Sequence, residues 1–154
     1  MPSIESNWDM SFFDQLSERM YRMEDIQVEG GYFEDSKIHS GSGLPMGSLA
    51  LIQERGSIKR GIPARGFVVY SAVFLAEETK AMSKAYVDYA LRRKSAKVSM
   101  TPVGRLMVRS IQKSIMSQKF VPLAPTTIAQ KGSSTILVEN HELINGATYK
   151  ITGG

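Results

Sequence analysis

The sequence is most restrictive in what it lacks. Its 154 residues include no cysteine and only two histidines, His39 and His141. Disulfide bonds, thiolate metal sites and a cysteine nucleophile are therefore excluded. A metal site would have to rely mainly on carboxylates, and no carboxylates stand at a ligand-like spacing. We therefore predict that the protein binds no metal and no cofactor.

Long apolar runs are missing as well. No stretch is apolar over enough residues to span a bilayer, and the opening MPSIESNWDM has no basic start followed by an apolar segment. We expect a soluble protein made inside the cell, with no membrane partner. With 42% hydrophobic and 22% charged residues, the chain has ordinary globular proportions, which predicts a single domain over residues 1–154.

Catalytic motifs are also absent. The glycine-rich segment GSGLPMGS lacks the Gly-Lys-Ser/Thr ending that holds phosphates, and the chain contains no Gly-x-Ser-x-Gly elbow. His141 and Glu142 are adjacent, so on a helix their side chains point in different directions and do not converge on one proton or one metal. We predict no catalytic residues and a protein that is not an enzyme. A measured activity that is lost on changing His141 or Glu142 would revive the enzyme hypothesis.

Apolar periodicity predicts an α+β fold with two long helices. Residues 1–25 are typical of an N-terminal amphipathic helix, and residues 67–94 and 101–119 of the two long ones. We expect the second long helix to begin at Thr101, with Pro102 in its first turn. On that helix Val103, Leu106, Met107, Ile111 and Ile115 form the apolar face.

Strand signals are few. IQVEGGYF predicts one strand. Residues 122–151 predict short helices, of which the first begins at Pro125 and stops at Gly132, followed by a strand at Thr148–Ile151. Residues 34–48 are rich in glycine and polar residues, which predicts an extended, mobile loop. We therefore expect a small mixed or antiparallel sheet packed against the two long helices. So small a sheet needs helices or a neighbouring chain to stabilise it.

The positive charge of the second long helix is arranged in a stripe. The chain has a net charge of +4, and Arg105, Arg109 and Lys113 follow one another at intervals of four residues. Like charges at this spacing destabilise a helix by a few tenths of a kcal/mol per pair, so the stripe favours an anionic counterpart. That counterpart could be DNA phosphate or an acidic patch on another subunit. A solvated helix face is an equal alternative.

Three separated motifs are similar to one protein family. LALIQERGSIKRGIPARGFV (49–68) resembles a helix followed by the signature Glu-x-Gly and Ile-Pro-Ala-Arg-x-Phe. FVPLAPTTIAQKGSSTILV (120–138) resembles a Pro-Leu-Ser-Pro-x-Thr-x-x-x-Lys-Gly segment, and HELINGATYKI (141–151) a helical turn leading into a Tyr-containing strand. The family is the minor tail component group of Hong Kong lambdoid phages, related to the virion morphogenesis proteins of phage Mu.

The chain departs from the family pattern at two places. Gly66 stands where the family commonly has proline, and Glu139-Asn140-His141 replaces its Asp-Thr-Gly triplet. The first departure is expected to loosen the start of the following helix. The second requires His141 to adopt a different backbone from glycine or to tolerate a strained one.

The resemblance implies a structural virion protein of the phage neck or upper tail, assembled in the host cytoplasm. Such tail-completion or head-tail joining subunits form a homo-oligomeric ring, here expected to hold six copies because tails are usually six-fold. The ring would contact the head connector or head-closure protein on one side and the tail terminator or tail tube protein on the other. DNA would pass through it without sequence-specific binding.

Five residues are candidates for intersubunit contacts. The loop from Ile38 to Pro45, including His39 and Leu44, is a candidate arm that orders on contact with a neighbour. Glu54 and Arg65 could each reach a neighbouring subunit. For Glu54, pairing with Arg65 or simple solvation are alternatives, and for Arg65 a local contact is one. The stripe of Arg105, Arg109 and Lys113 could face the DNA in the lumen.

Two further functions remain open at this point. A tail terminator also forms a ring at the top of the tail and would differ only in its location. A cytoplasmic nucleic-acid-binding protein is the alternative from another class, suggested by the basic composition. Against it, the aromatic residues are not interleaved with the basic ones, and the helix pair has no evident recognition turn.

Overall fold

The computed structural model describes residues 10–34, 37–92, 94–123, 125–131 and 141–154. Within these ranges the chain is α+β, as predicted, with a two-stranded antiparallel sheet packed on long helices. The helices are α1 (Met10–Arg22), α2 (Met46–Arg55), α3 (Phe67–Ala76), α4 (Thr79–Arg92), α5 (Ala96–Met116), α6 (Pro125–Lys131) and α7 (Glu142–Gly146); the strands are β1 (Gln27–Gly31) and β2 (Thr148–Thr152).

Helix α5 is the centre of the fold, and it begins earlier than predicted. Ser95 has an extended backbone, and its hydroxyl accepts a hydrogen bond from the Val98 amide at 3.4 Å, so Ser95 is the cap. The prediction of a start at Thr101 was wrong. The Thr101 hydroxyl donates to the Lys97 carbonyl at 2.7 Å, and Pro102 lies inside the helix. The predicted apolar face is correct in position, because Val103, Leu106, Ile111 and Ile115 are buried.

The predicted helix over 67–94 is divided into α3 and α4 by a turn at Glu77 and Glu78. The Glu78 amide bonds the Leu75 carbonyl at 3.0 Å, and the Thr79 hydroxyl donates to the Ala76 carbonyl at 2.7 Å. The prediction of one continuous helix was therefore wrong. Both halves pack on α5, and the break lets each of them do so. The side chain of Glu78 lies 3.8 Å from Lys113 of α5.

The sheet lies against α5 through unusually close contacts at glycine. β1 and β2 pair antiparallel with Gly30 opposite Tyr149 and no extra residue in either strand. A Cβ on Gly104 of α5 would lie 2.2 Å from the Tyr149 ring, and a Cβ on Gly30 would lie 2.5 Å from the Cβ of Met107. At both glycines a side chain of the opposing element already occupies the place of a Cβ, so glycine allows the sheet to pack this closely on α5.

Two apolar clusters flank the two halves of α5. Around its C-terminal half, Ile111 and Ile115 pack with Phe67 of α3 and Leu143 of α7. Around its N-terminal half lies a second group: Met100, Val103, Tyr89, Ala85, Ala96 and Ile26. Within the first cluster, a buried hydrogen bond joins α5 to α3, since the Ser114 hydroxyl donates to the Phe67 carbonyl at 2.6 Å. The core is therefore a sleeve of helices and strands around one central helix.

The C-terminal segment matches the predicted elements where it is described. α6 begins at Pro125 and β2 at Thr148, as expected; the predicted stop at Gly132 lies outside the described residues. His141 adopts φ 56° and ψ 7°, a left-handed conformation. The residue that replaces glycine in the resembled family thus keeps a glycine-like backbone, which costs an L-residue roughly 1–2 kcal/mol.

Candidate functional site

The loop between β1 and α2 is closed on itself over residues 37–45. Ile38 and Pro45 form a β-bridge. The His39 amide donates to the Leu44 carbonyl at 2.8 Å, and the Gly43 amide donates to the His39 carbonyl at 2.9 Å. α2 begins at Met46, inside the range predicted as loop. The expectation that this loop orders only on contact with a neighbour stays a prediction, but its described part already has a defined hydrogen-bonding pattern.

Glu142 ties this loop to the start of α7. Its Oε2 accepts from the Ser40 amide at 2.9 Å and lies 3.9 Å from Nε2 of His39, while its Oε1 accepts from the Ser40 hydroxyl. The two hydrogen bonds from Ser40, with a smaller contribution from His39, hold the pKa of the Glu142 carboxyl below its ordinary value. The loop is thereby joined to a residue 102 positions further along the chain.

The partners of Glu142 are distant in the sequence. Glu142 meets His39 and Ser40, and no contact within the described residues joins it to the adjacent His141 side chain. His39, Ser42 and Glu142 lie together: Nδ1 of His39 accepts the Ser42 backbone N–H at 3.0 Å and lies 3.0 Å from the Ser42 hydroxyl oxygen. The 3.9 Å from Nε2 to Glu142 exceeds a hydrogen bond. These contacts tie the loop together and to the start of α7.

A groove of about 680 Å³ opens beside the tethered loop. Its walls come from β2, α7, the start of α2 and the loop, with Phe33, Ile38, Met46 and Tyr149 as the apolar part. The ammonium of Lys150 lies 4.3 Å from the centre of the Phe33 ring. Of the predicted loop contacts, Ile38 is exposed, whereas His39 and Leu44 are half-buried. Ile38 is thus the loop side chain best placed to meet another molecule.

Glu54 caps the helix that follows it. Its two carboxylate oxygens accept the amides of Val68 at 2.8 Å and Val69 at 3.1 Å, at the start of α3. The carboxylate thereby stabilises the N-terminus of α3, next to Gly66. Gly66 stands where the resembled family has proline, and its φ of 53° is one that proline cannot adopt. The predicted intersubunit contact of Glu54 stays a prediction, but its carboxylate is already bonded within the chain.

Arg65 also has an internal partner. Its Nη1 donates to Oε1 of Gln53, its backbone N–H donates to the Gln53 carbonyl at 3.0 Å, and its Nε is buried without a partner among the described residues. Burial lowers the pKa of this guanidinium from its ordinary value. The local contact, one of the two alternatives for Arg65, is therefore present. An intersubunit contact of the same side chain stays a prediction.

The basic stripe of α5 carries less free charge than the sequence indicates. Arg105 and Arg109 are exposed and have no ion-pair partner in the described parts of the chain. Lys113 is half-exposed, with its ammonium 3.8 Å from Glu78. Two cations rather than three are consequently available to a partner on this face.

Apolar side chains remain exposed on α1 and α3. Apart from Ser71, α3 contains only apolar and aromatic residues, and Val69 and Val73 on its outer face are 75% and 52% exposed. On α1, Phe12, Phe13, Met20 and Tyr21 are all exposed. Neighbouring large apolar side chains left in water on helix faces mark surfaces that meet other molecules.

Neither a metal cluster nor a membrane span is found in the described ranges. No group of three or more His, Asp or Glu side chains is placed to hold a metal ion there. No helix in the same ranges is both long and apolar enough to cross a bilayer. Comparisons with protein-family models, with curated proteins and with solved structures found no match to this chain.

Proposed function

We propose that the protein is a structural subunit of a tailed-phage neck, a tail-completion or head-tail joining protein that works as a homo-oligomeric ring. The position in the virion comes from the three family-like motifs, which occur in the family's order along residues 49–151. The ring would hold six copies and let DNA pass between head and tail.

The observation that carries the oligomeric part is the exposed apolar surface. Val69 and Val73 of α3, together with Phe12 and Phe13 of α1, lie on outer helix faces. Covering these partly exposed side chains in an interface removes apolar surface from water, which favours association. A chain that folds around α5 and still leaves these faces in water is suited to assembly with further copies.

A closed ring requires two different surfaces on each subunit. Ring interfaces are heterologous, so a patch on one copy meets a different patch on the next. α1 and α3 provide two candidate apolar patches, and the groove beside β2 with its exposed Ile38 is a third surface. Neck proteins also contact different partners above and below the ring, which agrees with several distinct surfaces on one chain.

Deleting the gene in the phage that encodes it tests the proposal. We expect filled heads and complete tails that accumulate separately and join when the protein is supplied in trans. A matched complementation with a Val69→Asp, Val73→Asp double variant, which charges the exposed face of α3, should fail while the soluble variant remains folded. Normal particles from the deletion phage would contradict the proposal.

A tail terminator ring is the second candidate within the virion. The same apolar faces would serve it, and the two differ in the location of the ring, which for a terminator is the upper end of the tail. A cytoplasmic nucleic-acid-binding protein is the candidate from another class, and the exposed Arg105 and Arg109 favour it. Salt-sensitive DNA binding by a protein that is absent from particles would support that class.

A further inference from the structure

A tight hairpin at residues 57–62 and the end of α2 before it carry a group of exposed positive charges. No aspartate or glutamate occurs between residues 55 and 76, whereas Arg55, Lys59 and Arg60 lie within six positions. All three cations are exposed. The nearest acid in sequence, Glu54, directs both carboxylate oxygens at the amides of α3. The positive charge of this hairpin is therefore not balanced locally.

The hairpin is held rigid by its own backbone. The Ser57 amide donates to the Ile62 carbonyl at 2.7 Å, and the Ile62 amide donates back to the Ser57 carbonyl at 2.9 Å. The turn is completed by the bond from the Gly61 amide to the Ile58 carbonyl at 3.1 Å, with Gly61 at φ 62°. A turn closed by these bonds loses little conformational entropy when it binds.

The base of the hairpin is locked onto the body of the protein. Gly56 has φ 75°, and a Cβ there would lie 2.6 Å from the Ala64 backbone nitrogen. Beyond it, the Arg65 and Gly66 amides donate to the carbonyls of Gln53 and Glu54 at 3.0 and 3.1 Å. The two arms of the hairpin are thus bonded on both sides of the turn, and its tip has a fixed direction.

An isoleucine stands at the tip between the cations. Ile58 is 103% exposed and precedes Lys59 and Arg60 directly. An apolar side chain flanked by cations on a rigid projection matches the wedges that some proteins insert between DNA base steps, with the cations on the adjacent phosphates. Arginine is suited to phosphate because its guanidinium can donate two parallel hydrogen bonds.

We propose that the 57–62 hairpin is the principal DNA-contacting element of this chain, binding duplex DNA without sequence preference. Lys59, Arg60 and Arg55 contact phosphates, and Ile58 contacts the base stack from a groove. The choice of DNA among phosphodiester ligands rests on the proposed function, in which DNA passes the subunit. The main DNA-binding surface is then the hairpin and not the α5 stripe, where Lys113 is already paired with Glu78.

Anisotropy of a labelled duplex, titrated with the full-length protein at several salt concentrations, tests the assignment. The Lys59→Gln, Arg60→Gln variant removes two phosphate contacts, so the plot of log affinity against log salt should become less steep by roughly 1.8 units. The control variant, Arg105→Gln, Arg109→Gln, removes the same net charge from α5 and should leave the slope close to that of the natural protein. Ile58→Ser should weaken binding and leave the slope unchanged.

Any of four results would overturn the proposal. The natural protein could fail to bind DNA at low salt, or the α5 control could lose as much slope as the hairpin variant or more. Binding could also be unchanged in the Ile58→Ser variant, or hairpin-dependent binding to phosphatidylglycerol vesicles could exceed binding to DNA at equal phosphate. All the altered side chains are exposed, and unchanged circular dichroism melting confirms that each variant is folded. If the protein joins heads to tails but the hairpin variant binds DNA normally, this inference fails and the neck function stands. If the protein is absent from particles but its DNA binding depends on the hairpin, the neck function fails and this inference stands.

Discussion

Helices α5 and α1 have the same kind of apolar periodicity but opposite surroundings. Ten of the 21 residues of α5 are buried, because α3, α4, α7 and the sheet cover it. No residue of α1 from Ser11 to Arg22 is buried, although its apolar residues are also spaced three and four apart. An apolar stripe thus indicates that a helix face tends to be buried, but it does not identify the element or molecule that buries it. In its described residues this chain covers α5 with its own elements and leaves the large apolar side chains of α1 exposed.

The largest expected difference between the two helices is the loss of unfolding free energy when a phenylalanine packed against α5 or one on the surface of α1 is truncated. Phe67 is completely buried against α5, so Phe67→Ala should lower the free energy of unfolding by about 3–5 kcal/mol. Phe13→Ala on α1 removes the same side chain from a 47% exposed position and should change that free energy by less than about 0.5 kcal/mol. Urea unfolding followed by circular dichroism gives both values. Equal losses would show that α1 belongs to the core.

A methyl group at the closest approach tests how tightly α5 holds the sheet. Gly104→Ala should destabilise the protein by about 1–3 kcal/mol, because the new Cβ meets the Tyr149 ring, even though alanine favours a helix. Ser17→Ala on exposed α1 is the control and should be neutral or slightly stabilising. Thermal unfolding checks both. A stabilised Gly104→Ala variant would mean that β2 can move away from α5.

Arg19 is the main polar link of α1 to the rest of the chain. Its Nε donates to the Tyr89 carbonyl at 2.8 Å, its Nη2 donates to the Lys94 carbonyl at 2.6 Å, and its guanidinium lies 4.4 Å from the centre of the Tyr89 ring. Arg19→Ala should release α1 at a cost of about 1–2 kcal/mol and raise amide exchange across α1 alone. Mass spectrometry of exchanged peptides measures this.

Arg22→Ala is the matched control for that release. Among the described residues, Arg22 pairs with exposed Glu18 on the same helix, an interaction worth about 0.3–0.5 kcal/mol. Exchange in α1 should therefore change little. If the two arginine variants behaved alike, Arg19 would not anchor α1 to α4.

The smallest effect concerns the loop tethered by Glu142. Because folding lowers the pKa of this carboxyl, the tether is fully effective above the unfolded-state pKa and is lost as the pH falls through the lower folded-state pKa. The Ser40 amide resonance should follow this titration with a midpoint below 4.5, and Glu142→Gln should abolish the titration. Glu77→Gln, on the exposed turn between α3 and α4, should leave it unchanged. A midpoint at or above the ordinary value would contradict the tether.

Local signals made much of the fold predictable. Pro125 at the start of α6, Gly56 at the end of α2 and the apolar face of α5 all follow from rules that act within one or two turns. The break at Glu77 could not be found in this way, because α3 and α4 continue one apolar pattern, and both of them pack on α5. The start of α5 was missed because Thr101 and Pro102 form as good a local start signal as Ser95.

The candidate sites divide in the same way. The cap of α3 by Glu54 and the tether between Ser40 and Glu142 join residues far apart in the chain, and no local pattern indicates them. The 57–62 hairpin is different, since the absence of acids from 55 to 76 is visible in the sequence. Its cations, Arg55, Lys59 and Arg60, lack the regular four-residue spacing of the α5 stripe. Free charge depends on partners, which only the fold reveals.

Averaged electron micrographs of the phage particle, with and without the protein, test the central proposal most directly. The account predicts a closed ring of this subunit at the head-tail junction, with α1 or α3 buried between neighbouring copies and the 57–62 hairpin directed at the DNA. Particles that lack the protein at this junction, or copies that meet without covering either apolar face, would contradict it.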